Sequence, residues 1–329
     1  MSLVLHSEHV PFPVSPAFRI RPDMRRWDGD DRGHLRLDAR YPEYLADKLR
    51  LLAADPAGCR VMAPDADREA LTNALVHAAR NLAQDARHAG AFPAPIVADG
   101  DVLAFPLLGV ALAGGELSVR PEPGTRQAAG VIEPALVARV RAHLDAFAPL
   151  ERLADALALA VQEDVVVVQA GEGLADGRAE LLHVCFPSAW DPAARAGAGF
   201  AALHAPVPHG EVLRAAGAQV VRAMVSKGPF VRYVWSLVPD GRLDRNPRRN
   251  PDLRTATVPS ALWFRVERQT VMPLPELGRA LFTIRVYRAP LASVLTSPQR
   301  KRTLAAAVAS MDDALLAYKG VGAMKDALL

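Results

Sequence analysis

The chain reads as an α+β protein whose helical first half leads into an antiparallel sheet. Three observations predict this. Between residues 41 and 160 apolar side chains recur mostly at helical spacing, whereas from Asp164 the pattern changes to continuous β-branched runs. Residues 164–288 then read strand, strand, short helices, strand, strand, strand, and strands joined by short turns pair most simply as antiparallel neighbours. Finally, 329 residues, half of them apolar, suffice for one large unit or two unequal ones. The expected division is residues 1–160, an arm with a mainly helical extension and short strands, and residues 161–329, the core with a C-terminal helix.

Taken in order, residues 1–40 are rich in Pro, Asp and Arg and read as an irregular arm. Residues 41–55 have helical spacing, and Asp65 is the expected cap of a second helix to about Ala89. On that helix Leu71, Leu75, Ala78 and Leu82 form one stripe, while His77, Arg80, Gln84 and His88 form the wet face. Residues 96–121 suggest two or three short strands or a hairpin, and the pair Gly114-Gly115 carries no phosphate-loop spacing. Pro134 suits a first helical turn, opening one broken helix or two consecutive ones. The expected strands are residues 164–169, 181–186, 230–238, 261–271 and 280–288. A helical section from Trp190 to about Val225 separates the second from the third, and residues 300–319 close the chain as a helix.

Composition excludes several functions. Basic residues exceed acidic ones by 39 against 36, too small an imbalance for a nucleic-acid footprint. No apolar run approaches the ~20 residues of a membrane span and the start lacks a leader pattern, so a cytoplasmic protein is expected. Two cysteines, Cys59 and Cys185, cannot build an iron-sulfur cluster, and no CxxCH attaches a haem covalently. Only residues 242–254 are locally basic; they read as a solvated loop, or as the landing site of a redox partner.

The strand order is that of a PAS-like five-stranded antiparallel sheet crossed on one face by the helices between its second and third strands, with spatial order second, first, fifth, fourth, third. In haem-binding sensors of this type a His on a crossing helix is the iron ligand. His204 is the candidate, because Pro206 ends its helix and fixes it at the terminus. The alternative is a core histidine satisfied by backbone carbonyls. His183 ranks second as ligand and His209 third.

Six strings occur in one order: QEDVVVVQ (162–169), VCFPSAWDP (184–192), LHAPVP (203–208), FRVERQTVMPLP (264–275), FTIRVY (282–287) and AYKG (317–320). Together they resemble the haem-dependent oxidative N-demethylase family over roughly residues 150–320, and loosely at YPEYLADKLRLL. The resemblance implies a haem-b protein that oxidises a small secondary amine with O2. It also implies electrons from a separate flavin and iron-sulfur reductase fed by NADPH, and in some systems a folate-binding partner. The family's RxNW pattern appears as Arg232-Tyr233-Val234-Trp235, with Val where Asn is usual.

On that resemblance the metal ligand is His204, with Trp190, Trp235 and Arg285 also expected at the cofactor. Arg232, Glu267 and Arg265 are the expected catalytic residues. Arg232 suits a donor to bound O2 or to a propionate, or else a rim ion pair. Strand periodicity puts Arg265, Glu267 and Gln269 on one face, either solvent or a polar pocket, and Thr283, Arg285 and Tyr287 are expected to lie across from it. Glu267 is the carboxylate chosen to accept an amine. The competing class is a non-catalytic haem-binding gas or redox sensor.

Overall fold

The computed structural model describes residues 9–20, 22–27, 33–88, 94–122, 132–171, 174–253 and 258–329. The start of the arm, the tip of the turn after Gly171 and Arg254 lie outside them. The main sheet contains seven strands: β1 (Arg25–Arg26), β2 (Arg60–Met62), β7 (Asp164–Gly171), β8 (Leu174–His183), β9 (Phe230–Val238), β10 (Trp263–Leu274) and β11 (Arg279–Pro290). Their spatial order is β1-β9-β10-β11-β7-β8-β2, and every pair is antiparallel. The five strands after residue 160 thus lie second, first, fifth, fourth, third, but the sheet is wider than five. Two short strands from the first half extend its opposite edges. A separate four-stranded sheet holds β3 (Val97–Asp99), β4 (Val102–Phe105), β5 (Val110–Ala113) and β6 (Ser118–Pro121), more than the two or three strands expected.

The helices follow the apolar spacing. Helix α1 (Tyr41–Ala54) and α2 (Arg68–His88) are followed by α3 (Pro134–Asp145) and α4 (Pro149–Ala160), each of the last two opened by a proline in its first turn. Asp67, not Asp65, caps α2, accepting from the amides of Glu69 and Ala70 at 3.0 and 3.1 Å. Asp65 is free for this reason to pair with Arg178 at 2.5 Å. The stripe Leu71, Leu75, Ala78 and Leu82 is buried, whereas His77, Arg80 and Gln84 are exposed.

One face of the main sheet carries the largest core. Tyr41, Leu45, Leu71, Leu75, Leu153 and Leu157 pack there with Val165, Val167, Leu181 and Leu281, and the small sheet contributes Phe105 and Val110, with Leu107 from the turn between them. The other face is crossed by α5 (Phe200–Leu203), α6 (Glu211–Ala215) and α7 (Gly217–Ser226). Val220, Val221, Met224 and Val225 of α7 bury against Val271 and Ala280, and full burial of such a side chain stabilises by about 1.5–3 kcal/mol. α7 sits so close to the β7–β8 hairpin that a Cβ at Gly177 would lie 2.5 Å from Val221 and 2.7 Å from the Gln169 carbonyl, at φ +64°. The closing helix is two pieces, α8 (Pro298–Ala309) and α9 (Asp313–Tyr318), because Asp312 caps a new start by accepting from the Leu315 amide at 3.0 Å.

Candidate functional site

α5 is a single turn that ends in the loop 204–210. The His204 ring stacks on Phe200 with centroids 4.0 Å apart, and its Nδ1–H donates to the Phe200 carbonyl at 2.8 Å. Arg214 secures the loop from the far side, donating to the Val207 carbonyl at 3.3 Å and the His204 carbonyl at 3.5 Å. With Nδ1 protonated, Nε2 is the nitrogen with a lone pair, and it has no partner among the described residues. Burial draws the His204 pKa below its ordinary value, the neighbouring Arg232 charge acting in the same direction, so the ring is neutral at pH 7.

Opposite the helices, register decides which strand residues share the site. Glu267 pairs with Val234 and Gln269 with Arg232, so these four stand on the helix-crossed face. Both Glu267 oxygens are held: the Ser188 hydroxyl donates to Oε1, and Gln269 Nε2 donates to Oε2 at 2.7 Å. Arg265 in turn donates from Nε to Ser188 Oγ at 2.8 Å. Arg232 is different. Its buried Nε lacks a partner, and no hydrogen bond is made by the rest of its guanidinium to the described residues. Burial lowers its pKa, opposed chiefly by the nearby Glu267 charge.

Several expected site residues are elsewhere. Arg268, not Glu267, pairs with Arg285, so Thr283, Arg285 and Tyr287 point to the opposite face. There Arg285 is enclosed between the Tyr44 and Tyr287 rings at 4.2 and 4.7 Å and binds Asp38 at 2.7 Å, so it does not reach the His204 site. Trp235, paired with Val266, also faces away and packs on Phe264 and Phe18. Arg265 is on the correct face but fully buried, its remaining donors taken by the Leu243 and Phe186 carbonyls at 3.0 and 2.7 Å; it supports Ser188 and touches nothing that enters. Trp190 stays on the helix-crossed face, beside Val166, Leu182 and Leu203. His183 is buried on the far face against Asp155, Nε2 to Oδ1 2.9 Å, and the exposed His209 reaches Asp312 at 2.6 Å. Among the described residues 242–253 the arginines are not a free basic patch: Arg242 and Arg245 pair with Asp240, Arg248 with Asp55 and Asp191, and Arg249 with Asp244.

Sequence reasoning missed three contributors. Ser188 lies within VCFPSAWDP, and Tyr318 and Lys319 within AYKG; the strings were visible, but nothing local says that Ser188 bonds Glu267 or that AYKG docks on β9. Lys319 Nζ is buried and donates to the Trp235 carbonyl at 2.6 Å. Burial brings its pKa down to about 8, against the pull of Glu267. Tyr318 is held neutral: burial first, then the Glu267 carboxylate, raise its pKa.

The residues fit one chemical role. Among those described, no group of three or more His, Cys, Asp and Glu is arranged for a metal ion. A lone neutral imidazole with a backbone-anchored Nδ1, near a partly buried guanidinium that has no hydrogen-bond partner among the described residues, suits a group that brings its own metal and carries anionic arms. The surface concavity of about 650 Å³ lined by Pro42, Ala46, Pro134 and Arg139 shares no residue with this site.

The crossing helices carry a backbone-anchored histidine, and the sheet beneath them carries a carboxylate held by Ser188 and Gln269 and an arginine with no hydrogen-bond partner among the described residues. Residues 134–329 match the family described as haem-dependent oxidative N-demethylase, alpha subunit-like, and the chain belongs to that family. Haem dependence and oxidoreductase chemistry follow at the level of the family. No curated protein matches the chain. Among the described residues, no helix is long and apolar enough to cross a membrane.

Proposed function

We propose that this chain is the haem-b-binding subunit of an oxidative N-demethylase acting on a small secondary amine, with a PAS-like core and His204 as the axial ligand. The observation that carries the reading is the Nδ1–H bond from His204 to Phe200, which fixes the tautomer and leaves Nε2 to ligate. Arg232 would hold a propionate or donate to developing negative charge, both of which suit an unspent guanidinium. Trp190 would pack against the ring. When bound, haem supplies the O2 activation and electron removal that no side chain can provide.

The protein's own part is placement and proton handling. Glu267, anchored by Ser188 and Gln269, attracts an ammonium and accepts its proton, giving the free amine. Arg265 keeps Ser188 in place. The balanced reaction joins amine, O2, two electrons and two protons to give primary amine, aldehyde and water. Those electrons need a partner, a flavin and iron-sulfur reductase using NADPH, since the sequence has neither a GxGxxG fingerprint nor cysteines for a cluster.

Val234 beside Glu267 favours one competitor, a sensor that binds haem without turnover, because a polar Asn is usual there. One experiment separates them: load the chain with haem, follow its visible absorption while adding dimethylamine, then add NADPH with a ferredoxin-type reductase and measure formaldehyde. An amine-induced spectral change followed by formaldehyde supports the demethylase. A haem spectrum indifferent to amine, with no formaldehyde, supports the sensor.

A further inference from the structure

We propose that the pair His209–Asp312 is a clasp through which the C-terminal helix α9 holds the loop bearing His204, and so sets how long the haem stays bound. The inference rests on His204 being the axial ligand and adds two positioning residues outside the site.

The loop has little to hold it in place by itself. From His204 to His209 no residue is buried, and Ala205, Pro206 and His209 are exposed. Its backbone bonds are local: the His204 amide donates to the Phe200 carbonyl and the Val207 amide to the His204 carbonyl, each at 3.1 Å, and Arg214 reaches back only from the next helix. Among the described residues, one hydrogen bond leaves this stretch for a distant element. It joins His209 Nε2 to Asp312 Oδ2 at 2.6 Å, across 103 residues of sequence.

Both partners are committed to that contact. His209 sits at φ +52°, a left-handed backbone that a residue with a Cβ adopts at a cost and keeps where its surroundings fix it. The chain behind it is tight: a Cβ at Gly210 would lie 2.7 Å from Arg214 Nη1 and 2.9 Å from the Val207 carbonyl oxygen. Asp312 divides its carboxylate, Oδ1 accepting from the Leu315 amide at 3.0 Å as the cap of α9 and Oδ2 meeting His209. The helix is itself anchored, because Leu315 and Leu316 are buried, the Leu237 amide donates to the Lys319 carbonyl at 3.3 Å and Lys319 Nζ donates to the Trp235 carbonyl at 2.6 Å. The clasp thus ties a loop without a core of its own to an element docked on β9, the strand that carries Arg232. Loss of an axial ligand needs the His204 ring to move away with its loop, and a loop tied from both Arg214 and Asp312 has fewer conformations in which to do so. Exposed pairs add little to global stability, so the effect falls on haem release and not on folding.

The test follows, by visible absorption, the transfer of ferric haem from the loaded full-length chain to excess apomyoglobin. His209→Asn suits the left-handed backbone but lacks the reach, and Asp312→Ser keeps the helix cap without it. Each should release haem about threefold faster, the scale of an exposed pair, and the double variant should be no faster than either. His209→Gln, whose amide extends about as far as the imidazole Nε2, should return the rate to near wild type. Asp47→Ser, which breaks the exposed Asp47–Arg50 pair on α1, should match wild type. If both single variants release haem at the wild-type rate, if the double variant multiplies their effects, or if faster release comes with a lower apo-protein melting temperature in both, the clasp is overturned and the ligand assignment stands. If His204→Ala holds haem as long as wild type, the ligand assignment itself falls and takes the clasp with it.

Discussion

The two faces of the main sheet differ in how fully their cationic side chains are paired. On the core face Arg285 has Asp38, Arg268 donates to the Gly33 carbonyl at 2.7 Å, and Asp155 gathers His143, His183 and Arg60. On the helix-crossed face His204 Nε2 and the Arg232 guanidinium have no hydrogen-bond partner among the described residues. Buried charge is tolerated when paired and is expensive when not; single atoms such as Arg285 Nε and His183 Nδ1 also lack partners, but each of those side chains keeps an ion-pair partner, whereas Arg232 has no hydrogen-bond partner among the described residues. Residue type alone does not make this distinction, because Arg285 and Arg232 are both arginines on the same sheet; Arg285 is fully buried, whereas Arg232 is only partly so.

The sharpest way to break the contrast is on the closed face. Asp155→Ala leaves three cationic or potentially cationic partners buried without a counter-charge and should cost about 3–5 kcal/mol in denaturant unfolding. On the open face, His204→Ala should change apo-protein stability by less than about 1 kcal/mol, as expected for a half-buried loop side chain. It should nevertheless abolish the haem absorption band or leave one rescued by imidazole; an unaltered spectrum in this variant would refute His204 as ligand. His183→Ala should keep the band.

A pH series sharpens the comparison further. Hydrogen bonds from His143 and His183, with the charges of His183 and Arg60, outweigh burial and hold the Asp155 carboxyl well below the usual carboxylate range. A group depressed in the folded state contributes stability that is full above its unfolded pKa, about 3.9, and fades as pH falls toward the folded value. Glu163 and Asp164 slope the other way, because burial raises both, so the quantity to measure is the difference between wild type and Asp155→Asn from pH 5 to 2. That difference should shrink steadily as pH drops; a constant difference would remove the linkage. The smallest effect is expected at Ser188→Ala, which frees one Glu267 oxygen and should weaken dimethylamine by no more than about tenfold without altering haem binding.

The sequence made the strand order legible because each β-branched run is bounded by Gly or Pro, and His204 stood out because Pro206 stops its helix. Facing was harder. Periodicity says that Thr283, Arg285 and Tyr287 share a side but not which side, since that depends on the pairing of Arg268 with Arg285, a relation between strands. β1 and β2, at two and three residues, are too short for any period to show. Lys319 reaches β9 only through tertiary docking of the chain after α9, invisible in four letters.

The edge strands also bear on how this family's fold can be divided. β1 covers β9 at Val231 and Phe230, and β2 covers β8 from Leu181 to His183, yet both precede the matched segment 134–329. A polypeptide limited to that segment would present two unshielded rows of amides and carbonyls, each a template for another copy. It should sediment as large, polydisperse species at concentrations where the whole chain does not. The stretch that carries the family's signature thus leans on what precedes it: two short strands cap its edges, and α1, α2 and the small sheet cover its core face.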